Sequence, residues 1–189
     1  MFSGASAFNQ PLPWTTTSVE DMDEMFIWTT HNFDLSSWET TALTSMRLMF
    51  AQNKVFNSPL NFDTSKVVNM GGVFLNAISF NQSLADWNTQ KVTDMRSLFF
   101  NATAFEETLC WELNNNLLVD DMFCGSGAGF NNSCVRLIGL VDKTLQDCDK
   151  FADENTEGVD ASSCFRSMIH RSLVAMSLLG TSLLSTLFC

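Results

Sequence analysis

VFLNAISFNQSLADWNTQKVTDM, residues 73–95, decides the reading of this chain, because its pattern recurs in phase along the sequence. MFSGASAFNQPLPW from Met1, MFIWTTHNFDLSSW from Met25, MFAQNKVFNSPLNF from Met49 and LFFNATAFEETLCW from Leu98 align with it. They place Phe2, Phe26, Phe50, Phe74 and Phe99 in one column, at steps of 24, 24, 24 and 25 residues. A second column holds Phe8, Phe33, Phe56, Phe80 and Phe105, and a third holds Trp14, Trp38, Phe62, Trp87 and Trp111. A sixth copy begins at Met122 with Phe123 and Phe130, then fades after Cys134. Self-similarity at such a period marks a repeat architecture, in which one unit cannot bury its own apolar face and stacking supplies the missing layer.

The segments between copies predict a short helix in each. In the first, Val19, Met22, Met25 and Phe26 follow the spacing of one helical face. Thr16, Thr40, Thr64 and Thr89 stand just before these segments, where a hydroxyl caps helix-start amides, and Ser18 with Asp21 adds a capping box in the first copy. The stretch from second to third aromatic, such as FNQPLPW, reads as a turn followed by a brief extended segment. Asn9, Asp34, Asn57, Asn81, Glu106 and Asn131 follow the second aromatic and suit bonding to turn backbone. The expected fold is therefore a repeat solenoid of short helices plus brief extended segments, about 24 residues per coil. At about 5 Å per coil, five copies span roughly 25 Å.

The 17 Phe, 5 Trp and 10 Met, without any Tyr, supply the aromatic and Met columns of such a core. Met22, Met46, Met70 and Met95 read as core packing, in preference to a soft metal site. The net charge is −11, and residues 1–134 carry 14 acidic residues against 5 basic ones. That acidity repels phosphate backbones and argues against nucleic acid as a partner. The run Glu20, Asp21, Asp23 and Glu24 lacks the loop spacing of a calcium site and reads as a solvated face. His31 is the repeats' one histidine, and a hydrolase would need it beside a buried Ser or carboxylate in a cleft. No catalytic, cofactor-binding or metal-ligating residue is assigned.

The recurring MFxxAxxFNQxLxxWxTxxVxxM resembles the BspA-like leucine-rich-repeat surface proteins, whose unit is also called the mycoplasma-lipoprotein-type repeat. The resemblance covers residues 1 to about 134. It departs at residues 29–32, at Phe62 and after Trp111. The resemblance implies a leucine-rich-repeat-like fold and a cell-surface or secreted, non-enzymatic protein that binds protein or glycan on another surface. It transfers no catalytic residue and no cofactor. An alternative function is a structural or ice- or polymer-binding repeat protein that uses the threonine column, with a hydrolase the least favoured.

The six cysteines, Cys110, Cys124, Cys134, Cys148, Cys164 and Cys189, all lie beyond residue 109 and lack zinc-site spacing, which favours disulfides. Cys110 lies five residues after Phe105 and Cys134 four after Phe130, so in stacked coils they suit a bridge. Cys124 competes, with Cys134, Cys148 or Cys164 as partners. Asn81, Asn101 and Asn131 begin NQS, NAT and NNS, glycosylation acceptors in a secreted eukaryotic chain. Residues 135–172 read as a polar linker or irregular tail. Residues 173–189 form an uncharged apolar segment, marginal for spanning a membrane. With small residues at 160–163, that tail also matches a lipid-anchor signal; a docking helix or a frame-shifted tail are the competing readings. No secretory leader precedes Phe2, and Met1 already occupies a repeat position, as expected of a fragment or truncated gene model.

Overall fold

The computed structural model describes residues 2–8, 10–114, 116–127 and 129–130. The linker and tail readings for residues 135–189, together with Cys134 and Asn131, lie outside the described residues.

The expected leucine-rich-repeat-like solenoid of helices and strands is overturned. Among the described residues there is no helix, and the named strands are only β1 (Thr108–Leu109) and β2 (Gly129–Phe130). The described residues are mostly turn and coil. The turn chemistry explains why. Met25 N bonds Met22 O at 3.3 Å and Thr29 N bonds Phe26 O at 3.4 Å, each closing a four-residue turn. The third residue of each turn, Glu24 and Trp28, has φ of 55° and 59°, the positive value that a type II turn requires and a helix forbids. The same two corners recur at Leu48 and Gln52, Gly72 and Asn76, and Ser97 and Asn101. Successive four-residue turns bring Met22 and Phe26 to one side just as a helix would, so the apolar spacing fits both.

Alternate amides leave their own copy altogether. Met22, Glu24, Phe26 and Trp28 donate to the carbonyls of Ser45, Arg47, Met49 and Ala51 at 2.8–3.0 Å. Met46, Leu48, Phe50 and Gln52 repeat this onto Asn69, Gly71, Val73 and Leu75. The pattern continues through Asn101, which donates to Cys124. Parallel bridges link Asp21, Ser45, Asn69, Asp94 and Leu118 in one file. Backbone bonding is thus divided between turns within a copy and rungs between copies, which satisfies the amides without helix or sheet.

The core lies inside this ladder. Phe26, Phe50, Phe74 and Phe99 are fully buried, and each stacks on the next with centroids 5.5–5.9 Å apart. Within copies, Phe50 stacks on Phe56 at 4.0 Å, Phe74 on Phe80 at 3.9 Å and Phe99 on Phe105 at 4.1 Å. Each buried ring contributes about 1.5–3 kcal/mol from burial, with about 0.5–1.5 kcal/mol per favourable ring pair. Met22, Met46, Met70 and Met95 belong to the same core.

The threonines do not cap helices. Thr16, Thr40, Thr64 and Thr89 are buried, and their hydroxyls donate to the carbonyls of Glu39, Asp63, Asn88 and Glu112, one copy ahead. Ser18 and Asp21 likewise form no capping box, because Asp21 Oδ1 accepts from Asp23 N at 2.7 Å. At the sixth copy the register also differs from the aromatic alignment: Phe130 stands opposite Leu109, not Phe105.

Candidate functional site

The turn corners carry side chains that differ from copy to copy. One row reads Asp23, Arg47, Gly71, Arg96 and Asp120 through five copies, and its neighbour reads Glu24, Leu48, Gly72, Ser97 and Asp121. Between them runs a groove of about 310 Å³, lined by both arginines, Leu48, Leu75 and the two glycines among others. The glycines make it. A Cβ on Gly72 would lie 2.5 Å from Leu48 Cδ2, and at φ 61° its backbone also disfavours a side chain.

Charge on the rim is organised by short ion pairs. Arg47 bonds Glu24 and lies 3.6 Å from Asp23 Oδ2, while Asp23 Oδ1 also accepts from Ser45 Oγ and Arg47 N. Arg96 grips Asp94 through Nε at 3.0 Å and Nη2 at 2.6 Å. Burial pushes the Asp94 carboxyl up, but the hydrogen bonds and charge of Arg96 outweigh it and hold the group below the usual carboxylate range. The run Glu20, Asp21, Asp23 and Glu24 lies on turns and not on a helix face, with Asp23 and Glu24 paired to Arg47, while Asp120 and Asp121 line one end of the groove. The paired glycines at 71–72, where other copies carry side chains, are the signal that could have located it.

His31 sits elsewhere, in the core. Its ring lies 4.1 Å from Phe26 and 5.9 Å from Phe56, which puts it in the second aromatic column in place of Phe33. Phe33 packs beside it at 4.5 Å. Nδ1 lies 2.8 Å from Thr29 Oγ1. Because that hydroxyl donates to Phe26 O at 2.7 Å, the imidazole is the donor in the pair. Nε2 is buried without a hydrogen-bond partner among the described residues, and burial lowers the His31 pKa to about 4. Asn53 Nδ2 completes the cluster by donating to Thr29 Oγ1 and His31 O. The imidazole therefore meets neither a Ser nor a carboxylate, and Thr29 and His31 are sealed from solvent.

The asparagine column forms a ladder between copies. Asn57 N donates to Asn32 Oδ1, Asn81 N to Asn57 Oδ1 and Glu106 N to Asn81 Oδ1, at 2.7–3.2 Å. Asn32 takes the position expected for Asp34, which bonds Ser36 instead. Of the glycosylation candidates, Asn81 is exposed, while Asn101 is half-buried with Nδ2 committed to Asn76 Oδ1 at 2.7 Å. Asn131 lies outside the described residues. Cys110 and Cys124 are both disulfide-bonded, and Cys134, the expected partner of Cys110, lies outside the described residues. Among those residues no group of His, Cys, Asp and Glu could hold a metal ion, and no helix is long and apolar enough to cross a membrane.

A family model described as "Mycoplasma protein of unknown function, DUF285" matches residues 1–59 and 28–136. The chain belongs to this family. No curated protein and no solved structure matches. The DUF285 match covers the repeats whose corners line the groove.

Proposed function

We propose that this DUF285 chain is a non-enzymatic binding or adhesion module of the BspA-like kind, acting outside the cell or at its surface. Its turn corners contact a protein or glycan on another surface. The observation that carries this reading is the groove, which crosses consecutive copies and exposes charged side chains, while the core hydroxyls and imidazole are turned inward and bonded. Stacked repeats suit such work because each copy adds one row of side chains to a continuous face. The threonine column favours no ice or polymer lattice, since its hydroxyls are buried.

The test is a binding array of matrix proteins and glycans probed with the whole chain. Saturable binding to a defined class of target supports the proposal. An array without any bound target at micromolar chain overturns it and leaves a structural role.

A further inference from the structure

We propose that the second corner of each copy contributes to a glycan-binding strip, in which Trp28 stacks on an uncharged sugar ring and the amides after it bond neighbouring hydroxyls. This rests on the binding-module reading and names its ligand class. The row runs Gly4, Trp28, Gln52, Asn76, Asn101 and Gly125, one residue per copy, and the backbone amides from Gly4 to Asn101 each donate to a carbonyl of the next copy. All six have positive φ, from 54° to 76°. Glycine and asparagine suit that backbone, whereas tryptophan strains it. Trp28 is also 57% exposed, so packing does little to offset the strain. Stability gives no reason for an indole at this corner, and a contact outside the fold does.

The rest of the row sets the ligand. Before Trp28 stands Gly4, where an added Cβ would meet nothing within 4 Å. After it, Gln52, Asn76 and Asn101 are half-buried, and Asn101 Nδ2 donates to Asn76 Oδ1 at 2.7 Å. Asn76 Nδ2 and the whole Gln52 side-chain amide have no hydrogen-bond partner among the described residues. Amides donate and accept as sugar hydroxyls do, and an exposed indole offers a flat apolar face to the C–H side of a sugar ring. Copies stack about 5 Å apart, so one short oligosaccharide reaches from Trp28 to Asn76. No charged residue stands in the row. A basic peptide would be drawn instead to the carboxylates at the first corners, Asp23, Glu24, Asp120 and Asp121, and the net charge of −11 repels an anionic glycan. An apolar protein face would need further apolar side chains beside the indole, and the row places Gly4 and Gln52 there.

The probes are uncharged linear hexasaccharides of glucose and of N-acetylglucosamine, titrated into the full chain by calorimetry up to millimolar sugar. At least one is expected to bind, and a sulfated hexasaccharide to bind more weakly. Trp28→Asn removes the stacking face while easing the backbone, so the chain still folds, and affinity is expected to fall about tenfold. Trp28→Phe keeps a smaller ring and should retain part of the affinity. Gln52→Gly removes one amide at a φ that glycine accepts, and should weaken binding about fivefold. Unchanged sugar affinity in Trp28→Asn, or no binding of either uncharged hexasaccharide, overturns the inference. Array targets bound equally well by Trp28→Asn, with no sugar bound, would overturn it alone and leave a binding module that docks elsewhere. Silence in both assays removes both readings.

Discussion

The second and third copies and the fourth and fifth share one backbone but fill it differently. In the later pair, Ala77 and Ala102 accompany Phe80 and Phe105, and the core around these rings is apolar. In the earlier pair, Thr29 and Asn53 stand where the alanines do, and His31 replaces a phenylalanine. The ladder of rungs is unchanged across both. The difference teaches that the backbone rungs fix the stack, while the interior accepts polar groups wherever they can bond one another. Thr29, His31 and Asn53 satisfy all their buried polar atoms except His31 Nε2.

The largest expected effect comes from breaking the apolar half. Phe74 stacks on Phe50, Phe80 and Phe99 at 3.9–5.9 Å and is fully buried. Phe74→Ala should cost about 4 kcal/mol, from lost burial plus the cavity left in a column that cannot collapse without shortening its rungs. Urea denaturation measures it. A loss below about 1 kcal/mol would show that the aromatic file is not what holds this half together.

The polar half should be the pH-sensitive one. His31 is held neutral by burial, with its pKa lowered from 6.5 to about 4, and its partners are uncharged. The unfolded chain binds the proton below about 6.5 while the folded chain resists until about 4, so this contribution is complete above the unfolded value. It falls as pH drops through that window, by roughly 3 kcal/mol in all. His31→Phe, which copies the later repeats, should flatten stability between these pH values. An unchanged pH profile in that variant would assign the acid sensitivity to carboxylates such as Asp94 instead.

The aromatic columns were legible because a buried ring every 24 residues leaves few alternatives. Helices were wrongly expected because the spacing of Met22, Met25 and Phe26 is common to a helix and to consecutive four-residue turns. What distinguishes them is the positive φ at the corners, and Glu24, Leu48 and Ser97 do not announce it as glycine would. The place of His31 was readable: HN at residues 31–32 copies FN at 56–57, but Phe33 drew the alignment two residues too far. The groove leaves only one trace in the sequence, the paired glycines at 71–72, since its lining comes together only when rows from separate copies are stacked.

The smallest effect sharpens the same comparison at the surface. The second corner of each copy is left-handed, and the later pair place Asn76 and Asn101 there, a residue type that tolerates positive φ. The earlier pair place Trp28 and Gln52, and Trp28 is 57% exposed at φ 59°. A bulky L-residue held there stores strain that asparagine largely avoids, and so little of the indole is buried that its removal forfeits modest packing. Trp28→Asn should therefore raise stability by about 0.5–1 kcal/mol, read as a higher urea midpoint at unchanged slope. Asn53, one residue past the Gln52 corner, should keep its bonds to Thr29 and His31, leaving the pH profile as it was. A lower midpoint would mean that the indole packs on its neighbours strongly enough to offset the strain, and that the earlier copies gain at their surface what they give up in their core.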